Sequence, residues 1–178
     1  MTDSNTIERT FPELTVIESD DLRAGVRKAW VTAMEDNGID DLESLPWFPP
    51  AQRTLNLPDE RLVPHVRDVT QGAIALAEVF IDRGYDISME TVIAGALVHD
   101  VSKLYEFDGM NETEIGRLIG HPHYGVHVVS QAGLPVEIAH IVLSHTSRTT
   151  VDPATIEAEI VRRADETAAS AIRAAHEI

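Results

Sequence analysis

Apolar positions recur at helical intervals along most of this chain. Leu22, Val26, Trp30 and Met34 fall four apart, on one face of a helix expected over residues 20–37. Ser19-Asp20-Asp21 supplies its cap and early acids, and Gly38 its stop. A second pattern opens at Pro64, which a first turn tolerates, and carries Val66, Val69, Ile74, Ala77, Val79 and Phe80 to Gly84. A third starts at the Ser88 cap and runs through Val92, Ile93, Ala96, Leu97 and Val98 to His99-Asp100. Shorter helices are expected over 114–119, over 122–131 with Gly133 closing it, and over 135–144. The last is expected to start at an Asp152-Pro153 cap and to run through Ile156, Ile160, Val161, Ala164 and Ala168 to the C-terminus. No segment alternates with period two, and no Asn-Gly or Asp-Gly turn joins β-branched runs. The pattern predicts an all-α fold.

Residues 41–64 interrupt the pattern. Leu45-Pro46-Trp47-Phe48-Pro49-Pro50 carries too much proline for a regular helix and reads as an extended strap. It serves either as a hydrophobic connector or as a cover over a substrate.

Composition narrows the function classes. The 178 residues have room for one domain and hardly for two. No run approaches the roughly 20 apolar residues of a membrane span, and the polar start Met1-Thr2-Asp3-Ser4-Asn5 lacks the basic and apolar regions of a secretory signal. The chain has no cysteine, which excludes disulfides, thiolate metal sites and cysteine nucleophiles. A cytoplasmic address is the default expectation. Thirty acidic against fourteen basic residues give a net charge of −16 with no basic stripe, so long nucleic acids are repelled. A small molecule is the expected partner, a small phosphate included if metal ions supply local positive charge; a homo-oligomer is left open. Only two lysines occur, Lys28 and Lys103.

The chemistry lies in the histidines and aspartates. His65 opens the second helix, His99-Asp100 closes the third, His121 precedes a helix, His145 ends one, and Asp165 sits within the last. Each belongs to a different helix or helix end, the arrangement by which a helical bundle assembles a metal centre from inward-facing side chains. Four imidazoles and two carboxylates suit Fe, Mn, Co, Ni or Zn rather than Ca or Mg. Six ligands are too many for one ion that must keep open positions. They suit two ions about 3.5–4 Å apart, bridged by Asp100. An aspartate closing the apolar run Ala94-Gly95-Ala96-Leu97-Val98 would be buried at considerable cost without such a partner.

His65, His99-Asp100-Val101-Ser102-Lys103, His121-Pro122-His123-Tyr124-Gly125, Ser144-His145-Thr146 and Ala164-Asp165, in this order, resemble the HD superfamily of metal-dependent phosphohydrolases. The resemblance covers about residues 62–170 and is to the branch with two metals. It implies an HD-domain helical bundle over 61–178, with 1–60 forming an N-terminal helix and connector packed on it. The family's HPxxG pattern selects His121 over His123; His123, His127 and His140 become supports of the site or surface residues, and His176 a solvated tail residue. Where many relatives read His-Asp-Ile-Gly-Lys, this chain has Val101 and Ser102, which brings a hydroxyl near the metals. Ser147-Arg148-Thr149-Thr150 follows His145 in place of the GYP signature of the cyclic-dinucleotide branch, which disfavours cyclic-di-GMP.

The resemblance implies hydrolysis of a small phosphate ester or anhydride by metal-activated water. Lys103, three residues after Asp100 on a continuing helix, is expected to place its ammonium on the phosphoryl group or leaving oxygen. Arg148 is a second phosphate contact, Trp47 with Phe48 part of a substrate clamp, and Arg53 and Arg67 weaker candidates. The alternative is a different chemistry on the same scaffold: a mixed-valent di-iron oxygenase, whose ligand set this one also resembles, or a hydrolase of non-phosphate substrates.

Overall fold

The computed structural model describes residues 4–57 and 59–175; His176 lies outside them. The fold is all-α. Helices α1 (Ser4–Thr10), α2 (Asp20–Asp36), α3 (Pro49–Leu55), α4 (Leu62–Ile81) and α5 (Met89–Val98) are followed by the short α6 (Lys103–Glu106). A hairpin of two-residue strands, β1 (Phe107–Asp108) and β2 (Asn111–Glu112), leads to α7 (Glu114–Leu118), α8 (His121–Gln131), α9 (Val136–Ser144) and α10 (Ile156–Ala175). No helix of the described residues is long and apolar enough to cross a membrane.

The centre of the bundle is α5. Every residue from Val92 to Val98 is buried, so this helix is apolar on all faces and is covered on all sides. The flanking α4 and α10 pack along each other and against it, α9 packs on another face, and α2 closes the bundle. Two glycines permit the close approaches that bring the site together. A methyl group at Gly95 would stand 2.6 Å from Ile141 Cδ1, between α5 and α9. One at Gly125 would stand 2.5 Å from Val142 Cγ1, between α8 and α9. The hydrophobic core is continuous from Ile7, Phe11 and Trp30 to Val161 and Ala164. Trp30 Nε1 donates to Leu97 O at 3.0 Å, satisfying a carbonyl in the last turn of α5 immediately before His99-Asp100.

Several sequence expectations need correction. The strap is extended only through Phe48; Pro49 and Pro50 then occupy the first turn of α3, where a missing N–H costs nothing. The third helix stops at Val98, and His99 to Ser102 form turns before α6. Helix α10 begins at Ile156 rather than at Asp152-Pro153: Thr155 Oγ1 accepts from Ala158 N at 3.2 Å, while Asp152 pairs with Arg162 at 3.2 Å. The β1–β2 hairpin was not expected, because its Gly109-Met110 turn, entered from Asp108, lacks flanking β-branched runs; Gly109 adopts φ 56°. Helix α1 also carried no recognised signal.

Candidate metal centre

The six sequence-selected histidines and aspartates come together where the C-terminal ends of α5 and α9, the start of α8, the first turns of α4 and the middle of α10 converge. Asp100 lies at the centre. Its Oδ2 is 3.4 Å from His65 Nε2 and 3.3 Å from His99 Nε2; its Oδ1 is 3.5 Å from His121 Nε2 and 3.7 Å from His145 Nε2. Asp165 Oδ1 adds to the first pair, 3.1 Å from His65 Nε2 and 3.9 Å from His99 Nε2. Two groups of potential ligand atoms result, His65 with His99 and Asp100, and Asp100 with His121 and His145, each contained within 4.8 Å.

Local folding orients the rings. His99 Nδ1 lies 2.6 Å from Ala96 O, and His145 Nδ1 lies 2.7 Å from Val142 O, both carbonyls three residues earlier at a helix end. His121 Nδ1 lies 2.8 Å from Glu106 Oε2. These acceptors assign the proton to Nδ1 and turn each Nε2 lone pair toward Asp100. His121 Nε2 and His145 Nε2 consequently face each other at 3.3 Å, two lone pairs in repulsion unless a cation lies between them. His65 Nε2 and His99 Nε2 are buried without hydrogen-bond partners despite the nearby carboxylates, as expected of ligands aimed at a shared point rather than at one another. A divalent metal fits this donor set and removes the cost of its burial.

The electrostatics agree. Burial opposes ionisation of Asp100, but the Lys103 ammonium and His99 outweigh it and hold its carboxyl well below the usual range. Burial is likewise outweighed at Asp165, held at about 2 by its contacts with His65, His99 and His145. Burial, together with His99 and His121, pushes His145 down to about 3, so it stays neutral and able to ligate. His99 goes the other way: the two carboxylates outweigh burial and raise its pKa, favouring a proton on the ring that a bound cation would have to displace.

A cavity of about 220 Å³ opens over the cluster, and Trp47, Phe48, Lys103, Thr146, Arg148 and Arg173 contribute to its lining. Lys103 keeps its relation to Asp100 although the helix breaks: Lys103 N donates to Asp100 O at 3.0 Å, and Nζ reaches Oδ2 at 2.7 Å. Trp47 stacks 5.4 Å from the His65 ring, so this strap residue reaches a ligand as well as the cavity. Phe48 lies 5.4 Å from both Lys103 Nζ and Arg148 Cζ.

Other candidates lie elsewhere. Arg67 pairs with Glu13 at 3.0 Å on α4's outer side, and exposed Arg53 contacts Asn111. Ser102 offers the cavity no hydroxyl; its buried Oγ donates to His121 O at 2.7 Å and fixes the start of α8. His123 and His127 are exposed, and His140 accepts from Ala154 N at 2.8 Å. Sequence reasoning missed Glu106, which is wholly buried. The available signal was a charge within Leu104-Tyr105-Glu106-Phe107, the same anomaly that marks Asp100. It also missed Arg173, which shares a face of α10 with Asp165 and Ala169.

Comparison with known proteins places this geometry. The chain is 32% identical over 111 residues to the dihydroneopterin 2',3'-cyclic phosphate phosphodiesterase of Methanocaldococcus jannaschii, a match covering 59% of this chain and 45% of that protein. The chain thus spans less than half of that relative's length. No solved structure matches it. The family model described as HD domain matches residues 63–170, from the first turn of α4 through most of α10. That stretch is more than half of the chain and contains all six clustered side chains, and the chain belongs to the HD domain family.

Proposed function

We propose that this protein is a metal-dependent hydrolase of small phosphate esters, with two divalent ions per chain. The observation that carries this reading is the divided environment of Asp100: one oxygen faces His65 and His99, the other His121 and His145, beside a cavity that also presents Lys103 and Arg148. In this reading His65, His99, Asp100 and Asp165 hold one ion and Asp100, His121 and His145 the other. Bound there, the ions supply Lewis acidity toward a phosphoryl oxygen and a nucleophilic water at neutral pH. Lys103 and Arg148 receive the charge of the phosphoryl group, Lys103 acting most strongly where that charge grows in the transition state. Trp47 and Phe48 form the apolar wall that limits water and receives the organic part of the substrate.

The relative is named for dihydroneopterin 2',3'-cyclic phosphate, which makes cyclic phosphodiesters a suitable first class to try. The decisive assay measures phosphate ester turnover by protein stripped with chelator and reloaded with Mn²⁺ or Co²⁺. The panel holds cyclic diesters, monoesters and anhydrides. Metal-restored turnover of at least one class is expected. Failure on every class, with two irons per chain and substrate-dependent O₂ consumption after anaerobic purification, would sink the hydrolase reading in favour of the oxygenase.

A further inference from the structure

Glu106 carries no part of the reading above, yet its side chain is shared by two elements of the site. Oε2 lies 2.8 Å from His121 Nδ1, and Oε1 forms an ion pair with Arg148 Nη2 at 2.7 Å. The residue has no exposed surface, and the fold encloses it deliberately. Thr113 N donates to its backbone oxygen at 2.9 Å. Gly116, on α7, leaves the room it needs: a methyl there would stand 2.5 Å from Glu106 O and 2.9 Å from its Cγ. The β1–β2 hairpin and α7 therefore close over this carboxylate.

We infer that Glu106 is a positioning residue that sets metal affinity at His121 and anion affinity at Arg148 through one buried charge. The inference rests on the metal-dependent reading above. A neutral imidazole has one N–H; donating it from Nδ1 to Glu106 commits Nε2 to the lone-pair form and fixes the ring against rotation. Arg148 is drawn to the same carboxylate and packs over Phe48; its Nη1, 2.8 Å from His121 Nδ1, meets that N–H donor to donor, a contact that the shared Glu106 charge offsets. A guanidinium has five N–H donors in a rigid fork, so those not engaged by Glu106 remain for a ligand in the cavity that Arg148 lines. The two effects together are not available from a neutral side chain. An amide of the same size can accept from His121 or face Arg148 with its oxygen, but it brings no charge and turns its NH₂ toward the other partner.

The test compares Glu106→Gln and Arg148→Ala in the full chain. Co²⁺ alone is titrated into each stripped protein and followed by visible absorption, and inorganic phosphate is then titrated into the Co²⁺-loaded forms. Glu106→Gln should weaken one of the two Co²⁺ sites by about 10- to 100-fold, leave the other unchanged, and weaken phosphate binding. Arg148→Ala should weaken phosphate binding alone. A residue that merely supports the fold would instead lower both Co²⁺ affinities together with the melting temperature, and that outcome overturns the inference. So do two wild-type-like Co²⁺ affinities in a folded Glu106→Gln protein. If Glu106→Gln does not fold, Glu106→Asp provides the same readout, since its charged but shorter side chain reaches only one of the two partners. A wild type that binds two Co²⁺ but turns over no phosphate ester overturns the hydrolase reading, while Glu106 is still judged by the Co²⁺ titration.

Discussion

Lys103 Nζ stands 2.7 Å from Asp100 Oδ2, the oxygen that also faces His65 and His99. The Lys103 side chain is 8% exposed and borders the cavity, so it meets the central carboxylate on one side and the open cavity on the other. Because it is a cation beside the metal ligands, its removal does not weaken the hold on a second cation.

Lys103→Met is therefore expected to retain full metal content while kcat falls by about 10²–10³-fold, the usual cost of losing one preorganised charged donor. Lys103→Arg keeps the charge without the compact point-donor geometry and should recover part of the rate. Phosphate release and elemental analysis on the same preparations check both statements; a near-normal rate in the methionine variant would remove Lys103 from the reaction.

Asp100→Ala should lose both metals and all turnover. Its two oxygens face the two histidine pairs separately, so no neighbouring side chain replaces the deleted bridge. Replacing His121 or His145 should lower occupancy chiefly on one side. Full metal content in purified Asp100→Ala would contradict the shared-ligand assignment.

The strap is best tested at Phe48 rather than Trp47. Trp47 is 3% exposed and packs on the His65 ring, so Trp47→Ala combines a core truncation, about 3–5 kcal/mol, with a disturbed ligand. Phe48 is less buried and lies beside two of the cavity's cations, Lys103 and Arg148. Phe48→Ala should raise KM several-fold with metal content unchanged. Steady-state kinetics beside metal analysis decides the matter, and unaltered kinetics would reduce the segment to packing.

The α8–α9 crossing supplies a stability prediction. Gly125→Ala places a methyl 2.5 Å from Val142 Cγ1 and 3.0 Å from Ser102 Oγ, within the contact that also fixes His121 O. Overpacking of this kind costs typically about 1–3 kcal/mol, and chemical denaturation should show it. Metal affinity should fall as well, since the displaced Ser102 no longer holds the first turn of α8.

The sequence by itself determined most of the helices and which histidines and aspartates to look for in one cluster. Four-residue spacing in α2, the Ser19 and Ser88 caps, and the wholly apolar α5 are local signals, and each became the expected element. Asp100 stood out because a charge that closes an apolar helix must have a partner, whereas the ordered set of six and the choice of His121 came from the resemblance. Elements whose signal was weak or set by context were not legible. Pro49-Pro50 disfavours a helix interior yet starts α3, and Gly109-Met110 turns a hairpin with only two residues on each side. Only the tertiary structure decided which oxygen of Asp100 faces which histidines, that Ser102 turns to His121 O, and that Arg67 pairs with Glu13 instead of entering the cavity. Glu106 shows the reason most clearly. Its partners His121 and Arg148 are 15 and 42 positions away in the chain, and they meet only because α7 and the hairpin fold across α6. Spacing along a chain records which face a side chain takes, but which groups share a buried charge depends on how the helices pack.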